Sequence, residues 1–213
     1  MPPRQVRHPI FARVYACLGT GMEKAGVGDH RRQLLAGLTG SVLEIGAGNG
    51  LNFLHYPPTV TSVVAVEPEP HLRALAEVSA SRAAVPITVM DGTAEQLPAG
   101  DGEYDAVVAT LMLCSVRDPD VALREMHRVL RPAGELRFME HVLAESAGCR
   151  RIQHFADATC WPVCFGGCHV SRDVVEAITA AGFSVRDLVR YQLPDTRVPW
   201  PAAPHARGVA IRA

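Results

Sequence analysis

The sequence lacks a long apolar run, an excess of basic residues and an N-terminal secretion signal. No stretch approaches the roughly 20 apolar residues needed to cross a bilayer, so no integral membrane segment is expected. The formal net charge is −1. A protein built mainly to hold nucleic acid needs a clustered basic surface, so no nucleic-acid partner is expected. The first ten residues carry prolines and arginines where a signal peptide has an apolar core. These absences predict a cytoplasmic protein whose six cysteines are reduced.

The composition is that of a globular protein. Hydrophobic residues make up 48% and charged residues 20% of the 213 residues, enough to bury a core without disulfides. No internal repeat, low-complexity segment or linker divides the sequence, so we expect a single domain. We divide it into an N-terminal helical cap (1–39), a central core (40–140), and a C-terminal part with helices and a final strand pair (141–213).

Short apolar runs alternate with helical stretches through the middle of the chain. A helical region is predicted over residues 10–38, with an interruption near Gly26 to Gly28. The predicted strands that follow are 42–45, 62–66, 87–90, 105–110 and 135–139. Helices are predicted between them at 70–81 and 118–130. Strands that alternate with helices indicate parallel βαβ units and a doubly wound sheet.

The last third departs from this alternation. A helix over residues 146–161 lies where a sixth strand is expected, and a second helix over 171–181 begins with Ser171 as its N-cap. The two final strands and the proline-rich connection between them are predicted at 183–191, 208–211 and 194–204. The sequence therefore predicts an α/β fold with a doubly wound, mostly parallel seven-stranded sheet. N-terminal helices precede the sheet, and a helical insertion precedes its last two strands.

A glycine-rich loop follows the first predicted strand. Its glycines stand at alternate positions: Gly46, Gly48 and Gly50. Glycines let the backbone turn sharply and lie against a ligand, with helix N–H groups available to it. A dinucleotide-binding loop, G-x-G-x-x-G, needs its third glycine at position 51, which is Leu51. The pattern E-x-G-x-G-x-G, in which Glu44 is the acid, resembles that of the class I S-adenosylmethionine-dependent methyltransferases.

This resemblance implies a site for S-adenosylmethionine. Glu44 organises the loop and the amino end of the cofactor. The loop residues under the ribose and methionine parts are Gly46, Ala47, Gly48 and Gly50. Glu67 and Pro68 follow the second strand, where a carboxylate accepts both ribose hydroxyls in a nucleoside site. The turn that contacts the adenine contains Asp91, Gly92, Thr93 and Ala94. Leu111, after the fourth strand, completes the cofactor-binding set.

Three further segments carry a narrower resemblance. They are Leu113-Cys114-Ser115-Val116, Phe138-Met139-Glu140-His141-Val142 and Gly167-Cys168. Together they resemble the microsomal alkyl thiol S-methyltransferases and their bacterial relatives. The resemblance implies a Rossmann-like methyltransferase fold and an enzyme that methylates a small apolar molecule, with a thiol as the favoured acceptor. The mammalian members begin with a hydrophobic membrane-associating segment that this sequence lacks, so membrane attachment does not carry over.

A thiol acceptor has to become a thiolate, because its free pKa is about 8.5. A nearby base or a positive, partly dry pocket favours that change. His141 ends the fifth strand, at the edge where open α/β sheets place ligands, and is the first candidate base. His154 is the second, since it precedes Asp157 by one turn of the inserted helix. Cys114 is predicted to line the pocket close to the transferable methyl group.

The cysteines of the last third invite a metal hypothesis that their spacing does not favour. The four residues are Cys149, Cys160, Cys164 and Cys168, with His154 and His169 as further possible ligands. They lack the C-x2-C knuckles of recognisable zinc sites, so no metal is predicted. Trp161 and Phe165, which lie among them, form either a lid over the acceptor or part of an ordinary core.

Other functions stay open from the sequence alone. A C- or O-methyltransferase of a quinone-like or polyketide-like metabolite shares the region 40–140 and differs mainly beyond it. A cofactor-binding module without catalysis is a further alternative. The intact acids Glu44, Glu67 and Asp91 count against decay of the cofactor site. A nucleic-acid methyltransferase is disfavoured, because the segment 113–116 stands where amino-methylating enzymes carry an N/D-P-P-Y/F motif.

Overall fold

The computed structural model describes residues 9–195 and 200–213. The first eight residues of the predicted N-terminal cap, and residues 196–199 of the predicted proline-rich connection, lie outside the described residues. Within the two described ranges, no helix combines the length and the apolar character that a membrane span requires.

Seven strands form one mixed sheet. Their bounds are β1 (Gly40–Ile45), β2 (Val60–Val66), β3 (Ile87–Met90), β4 (Tyr104–Thr110), β5 (Leu130–His141), β6 (Phe183–Gln192) and β7 (Pro204–Arg212). The spatial order is β3-β2-β1-β4-β5-β7-β6. β1 to β5 pair in parallel, whereas β7 runs antiparallel to both β5 and β6. The seven strands and the antiparallel final pair agree with the prediction, and the sheet is mixed rather than parallel throughout.

Helices flank and connect the strands. They are α1 (Pro9–Met22), α2 (Gly28–Leu35), α3 (Pro70–Ala80), α4 (Pro119–Val129), α5 (Ala147–Asp157), α6 (Trp161–Cys164) and α7 (Val174–Ala180). A π-helical turn over Glu23–Val27 joins α1 to α2, and a 3-10 turn covers Phe53–His55. Gly26, with φ of +113°, breaks the N-terminal helical region where the sequence predicts an interruption.

Side chains at the helix starts explain where two of these helices begin. Asp118 caps α4, because its Oδ1 accepts a hydrogen bond from the Val121 N–H at 3.0 Å. Glu69 caps α3 by accepting from the Leu72 N–H at 2.9 Å. A proline follows each cap at the first helical position, where its missing N–H has no cost. Both helices therefore begin within one residue of the predicted position.

The inserted region differs from the prediction in two places. α7 begins at Val174 and is capped by Asp173, so the prediction of Ser171 as the N-cap is wrong. Asp157 accepts from the Ser171 N–H at 2.8 Å and from its hydroxyl at 2.5 Å. These bonds hold Ser171 against the end of α5, so α7 begins further along the chain, at Val174. The helix predicted over 146–161 is in fact two, α5 and α6.

Two apolar cores lie on opposite faces of the sheet, because successive strand residues point in opposite directions. Leu43 and Ile45 of β1 pack with α4 and α7. Val42 of β1 and Ala65 of β2 pack with α2 and α3. With both faces covered, the ligand side of such a sheet is the edge at which the carboxyl ends of its parallel strands meet.

Candidate functional site

The glycine loop after β1 has a left-handed backbone at each of its three glycines. The φ angle is +66° at Gly46, +59° at Gly48 and +79° at Gly50, a region that other residues rarely adopt. A Cβ on Gly46 would lie 2.7 Å from the Met112 Cβ, so the loop packs directly on the segment after β4. Among the described residues, a Cβ on Gly48 would meet only the Tyr15 ring, at 3.4 Å. Gly48 is therefore the least crowded of the three.

Glu44 is buried near the end of β1, and two side chains hold its carboxylate. Oε1 accepts from Asn52 Nδ2 at 3.0 Å, and Oε2 accepts from the Tyr56 hydroxyl at 2.6 Å. Arg31 of α2 donates to Asn52 Oδ1 at 2.9 Å. Burial raises the pKa of Glu44 to about 7. These bonds connect Glu44 both to the residues that follow the glycine loop and to the N-terminal helices.

Glu67 follows β2, and its carboxylate faces the glycine loop. Oε2 accepts from the Gly48 N–H at 2.7 Å, and Oε1 accepts from the Glu69 N–H at 2.9 Å. Burial raises the pKa of Glu67. Each carboxylate oxygen keeps a further lone pair, so the group can also accept from a ligand. Pro68, the next residue, is half-buried, and its carbonyl accepts from Arg73 at 3.2 Å.

The turn after β3 is tied to the same region through Arg73. Its Nη1 donates to Asp91 Oδ1 at 2.9 Å and to the Glu67 carbonyl at 2.8 Å. The Asp91 side chain is largely exposed. Gly92 lies against β2, because a Cβ on it would be 2.9 Å from Val66 Cγ1. The acids that follow β2 and β3 are therefore neighbours at one edge of the sheet.

The remaining predicted cofactor residues lie in this turn and after β4. The Thr93 carbonyl accepts from the Gln96 N–H at 3.2 Å, and Ala94 is buried in the core. Leu111 has φ of +55°, which is uncommon for a residue with a side chain. Its N–H donates to the Met139 carbonyl at 2.8 Å. The chain thus turns sharply where β4 ends.

Helix α1 lies over both halves of this edge. Tyr15 contacts the position above Gly48, and a Cβ on Gly166 would lie 2.6 Å from the Phe11 ring. The centroids of the Phe11 and Tyr15 rings are 5.7 Å apart. α1 therefore reaches from the glycine loop to the turn after α6.

Cys114, His141 and Cys168 form a cluster at the ends of β4 and β5. His141 Nδ1 lies 3.5 Å from the Cys114 sulfur and 3.6 Å from the Cys168 sulfur. Cys114 and Cys168 are buried, and His141 is half-buried. The three residues come from the loop after β4, the last position of β5 and the turn after α6. We call these three residues the Cys–His–Cys cluster.

The two thiols of the cluster have pKa values that are shifted in opposite directions. The hydrogen bond from Cys114 and the neighbouring His141 lower the pKa of the Cys168 thiol to about 5. The hydrogen bond with Cys168 and burial raise the pKa of Cys114 well above its usual value. Of the two thiols, Cys168 is therefore the more acidic.

Glu140 fixes the loop that carries Cys114. Its fully buried carboxylate accepts from the N–H groups of Met112 and Leu113, both at 2.9 Å, and of Cys114 at 3.3 Å. Burial raises the pKa of Glu140 to about 7. On the other side of the loop, Arg172 donates to the Leu113 carbonyl at 2.8 Å. The position of the Cys114 sulfur therefore depends on bonds to its backbone.

His154 lies elsewhere, on the exposed side of α5. Asp157 accepts from the N–H groups of Val170 and Ser171, at 2.9 and 2.8 Å, so its carboxylate holds the turn before α7. The structure therefore does not bring His154 into the cluster with His141.

Of the four cysteines in the last third, the structure brings only Cys168 into the Cys–His–Cys cluster, and the other three are exposed or half-buried. Trp161 packs with the buried Cys114 and Cys168. Phe165 stacks on Trp161 at a centroid distance of 4.1 Å. The aromatic residues of this region thus lie against the cluster.

Sequence reasoning named Glu140 only within a family motif and gave it no role, and it missed the bond from Arg31 to Asn52 and the position of α1. Glu140 could have been given a role, because it is an acid at the end of an apolar strand, the signal that singled out Glu67. The place of α1 depends on how residues distant in sequence pack, and no local pattern predicts it.

A sequence profile described as a methyltransferase domain matches residues 43–138. The solved structure of an S-adenosylmethionine dependent methyltransferase from Mesorhizobium loti aligns with a TM-score of 0.66 and 17% identity, covering 90% of this chain and 100% of that chain. The sheet, the glycine loop and the acids at the strand ends therefore define a Rossmann-like methyltransferase.

Two related proteins show which family of methyltransferases the chain belongs to. Thiol S-methyltransferase TMT1A of Homo sapiens is 35% identical over 188 residues, which are 84% of this chain and 75% of that protein. Thiol S-methyltransferase TMT1B of Mus musculus is 38% identical over 187 residues, 84% and 74% of the two chains. The chain belongs to the S-adenosylmethionine-dependent methyltransferase family that includes these two proteins. It is an enzyme of methyl transfer, and S-adenosylmethionine is its cofactor.

Proposed function

We propose that the enzyme transfers the methyl group of S-adenosylmethionine to the sulfur of a small apolar thiol. The observation that carries the proposal is the Cys–His–Cys cluster at the carboxyl ends of β4 and β5. The cluster lies near the glycine loop, since Met112, two residues before Cys114, packs on Gly46. The names of the two thiol S-methyltransferases support the same class of acceptor.

In this proposal the cofactor lies along the ends of β1 to β4. Glu67 accepts hydrogen bonds from the ribose hydroxyls, because its buried carboxylate faces the loop and its oxygens have lone pairs left for a ligand. The ribose and methionine parts lie on the loop, where Gly48 adds no side chain. Asp91 and the turn that follows it contact the adenine. Leu111 lies at the methyl end, where the chain turns toward Cys114.

Methyl transfer from a sulfonium is an in-line displacement. A bond forms between the acceptor sulfur and the methyl carbon as the carbon–sulfonium bond breaks, which leaves a thioether and S-adenosylhomocysteine. The protein mainly has to hold the acceptor sulfur in line, about 3 Å from the methyl carbon. The acceptor must also give up its proton, and we propose His141 for a direct role in that step, because its ring lies beside both sulfurs of the cluster.

The surroundings of the cluster favour an uncharged acceptor. Trp161 packs against the two cluster cysteines, Phe165 stacks on Trp161, and Phe11 reaches the following turn from α1. Such a cover excludes water from the reacting sulfonium. It also opposes formation of a thiolate by desolvation, so groups of the cluster have to offset that cost.

A screen with methyl-labelled S-adenosylmethionine tests the acceptor class. We expect labelled thioethers from alkyl and aryl thiols and no product from phenols, quinones or amines. Product from a phenol or quinone, with none from any thiol, moves the assignment to O- or C-methylation of such a metabolite. Binding of S-adenosylhomocysteine with no product from any class supports a cofactor-binding module instead.

A further inference from the structure

The Cys–His–Cys cluster has the spacing of a metal site. Its three donor atoms lie within 4.8 Å of one another, and the two nitrogen–sulfur separations are 3.5 and 3.6 Å. Bonds of about 2.3 Å to sulfur and about 2.0 Å to nitrogen in a tetrahedral zinc site put neighbouring sulfur and nitrogen donors about 3.5 Å apart. Across residues 9–195 and 200–213, no other group of three such donors lies this close together.

We propose that Cys114, His141 and Cys168 bind a Zn²⁺ ion and leave one coordination position for the acceptor thiol. Thiolate sulfur and imidazole nitrogen are donors that suit Zn²⁺, whereas Mg²⁺ and Ca²⁺ prefer the oxygens of carboxylates, carbonyls and water. Three protein ligands with an open fourth position are the arrangement of catalytic zinc sites. The identity of the fourth ligand rests on the proposed function, whereas the metal site itself rests on the three side chains.

The backbone around the cluster holds its two cysteines in place. The His169 N–H donates to the Cys114 carbonyl at 2.7 Å, which joins the turn that carries Cys168 to the loop that carries Cys114. At Gly167, φ is +88° and a Cβ would lie 3.1 Å from the Ser115 carbonyl oxygen. The two segments can therefore approach this closely because residue 167 is glycine.

The prediction of no metal from the sequence considered only four cysteines of the last third together with His154 and His169. The donors proposed here come from three segments, around residues 114, 141 and 168, that only the fold brings together. No spacing along the chain could have indicated them.

Zinc at this position explains how an apolar site can hold a thiolate. When the acceptor thiol binds the ion, its sulfur loses the proton to solvent, because a coordinated thiol is deprotonated. The methyl group then passes from the sulfonium to this sulfur, and the thioether and S-adenosylhomocysteine leave while the ion stays. His141 contributes to activation of the acceptor as a ligand in this account.

The test measures metal binding by the full chain without turnover. The protein is dialysed against a chelator and titrated with Zn²⁺ in competition with a chromophoric chelator. It is also titrated with Cd²⁺, while thiolate-to-metal charge-transfer absorption is recorded. We expect one equivalent of tight binding and a charge-transfer band. A protein that takes up neither ion, or takes up Cd²⁺ without this band, overturns the proposal.

Variants show whether the ion lies in the cluster. Cys168→Ser and His141→Ala are each expected to lower Zn²⁺ affinity by about 100-fold or more, because losing a ligand costs at least as much as losing a residue that orients one. Cys164→Ser is the matched control, because Cys164 is an exposed cysteine of the same region outside the cluster, and its affinity should equal that of the wild type. Loss of binding in Cys164→Ser, with binding kept in Cys168→Ser, overturns the assignment. Circular dichroism checks folding, and His141→Ala, at a half-buried side chain, tests the site if Cys168→Ser does not fold.

Turnover is then measured with and without the ion. This comparison separates failure of the proposed zinc role from failure of the proposed thiol methylation. We expect thiol methylation to fall by at least about 10-fold in the metal-free protein. Equal rates for both forms overturn the open position for the acceptor and leave the proposed function intact. A protein that binds one ion in the cluster and methylates no thiol overturns the proposed function, and with it the proposed fourth ligand.

Discussion

The Gly48 N–H donates to Glu67 Oε2 at 2.7 Å, so the glycine loop and the acid after β2 form one unit. The same carboxylate accepts from the backbone at the start of α3. A ligand that lies on the loop therefore meets an acceptor whose position is already fixed by two backbone bonds. Pre-organisation of this kind lowers the ordering cost of binding.

Glu67→Ala is expected to weaken binding of S-adenosylhomocysteine by about 1.5–3 kcal/mol, the range for hydrogen bonds to a charged group. Isothermal titration calorimetry measures the change, and thermal unfolding shows whether the variant folds. Glu69→Ala is the control: it removes the cap of α3 and keeps the Glu67 carboxylate. Unchanged affinity in a folded Glu67→Ala variant assigns Glu67 a structural role only.

Gly48→Val is expected to abolish cofactor binding, because the side chain occupies space above the loop. The left-handed φ of +59° also disfavours a β-branched residue. S-adenosylhomocysteine should raise the melting temperature of the wild type by mass action and leave that of the variant unchanged. Gly148→Ala serves as control, since a Cβ at Gly148 lies within 4 Å of no residue that the structure describes. A shift produced by NAD and not by S-adenosylhomocysteine would be evidence against the cofactor assignment.

The raised pKa of Glu44 predicts how the stability of the folded protein changes with pH. Its pKa is raised to about 7 in the folded protein, from 4.5, so the folded state holds this proton more tightly than the unfolded state. The stability from this group is complete below about pH 4.5 and is lost as pH rises toward 7. The side chain of Glu44→Gln stays neutral. In this variant the free energy of unfolding is therefore expected to fall by up to about 3 kcal/mol less than in the wild type as pH rises.

Melting temperatures between about pH 5 and pH 8 test this sign. The fall with rising pH should be smaller in Glu44→Gln than in the wild type, and part of it should persist because burial also raises the pKa of Glu140 to about 7. Glu77→Gln, at an exposed position of α3, should retain the wild-type slope. If Glu44→Gln and Glu77→Gln give the same slope, Glu44 does not titrate in this way.

His141 and His154 can be compared directly. His141→Ala is expected to lower kcat/KM for a thiol by about 100-fold or more, the effect of losing a group that assists proton removal. His154→Ala should match the wild type, because His154 is exposed on α5. Affinity for S-adenosylhomocysteine should change little in either variant. Equal loss in both variants, or a fully active His141→Ala, contradicts the role proposed for His141.

The strands, and the meeting of three acids at one edge of the sheet, could be predicted because their signals are local. The acids Glu44, Glu67 and Asp91 stand at the ends of apolar runs, and parallel strands bring such ends to one edge. The acceptor side could not be predicted in the same way. His154 and Asp157 are one turn apart in sequence, yet Asp157 bonds a different turn. Cys168 joins Cys114 only because the segment after α6 folds back onto the loop after β4.

The central claim is that the enzyme methylates sulfur. Competition between a thiol and a phenol that share the same ring tests this claim most directly. Equimolar thiophenol and phenol are offered to the full chain with methyl-labelled S-adenosylmethionine, and mass spectrometry identifies which heteroatom carries the label. We expect labelled methyl phenyl sulfide as the dominant product in the wild type and its loss in His141→Ala. Label found on the phenol oxygen or on ring carbon, with no labelled sulfide, would contradict it.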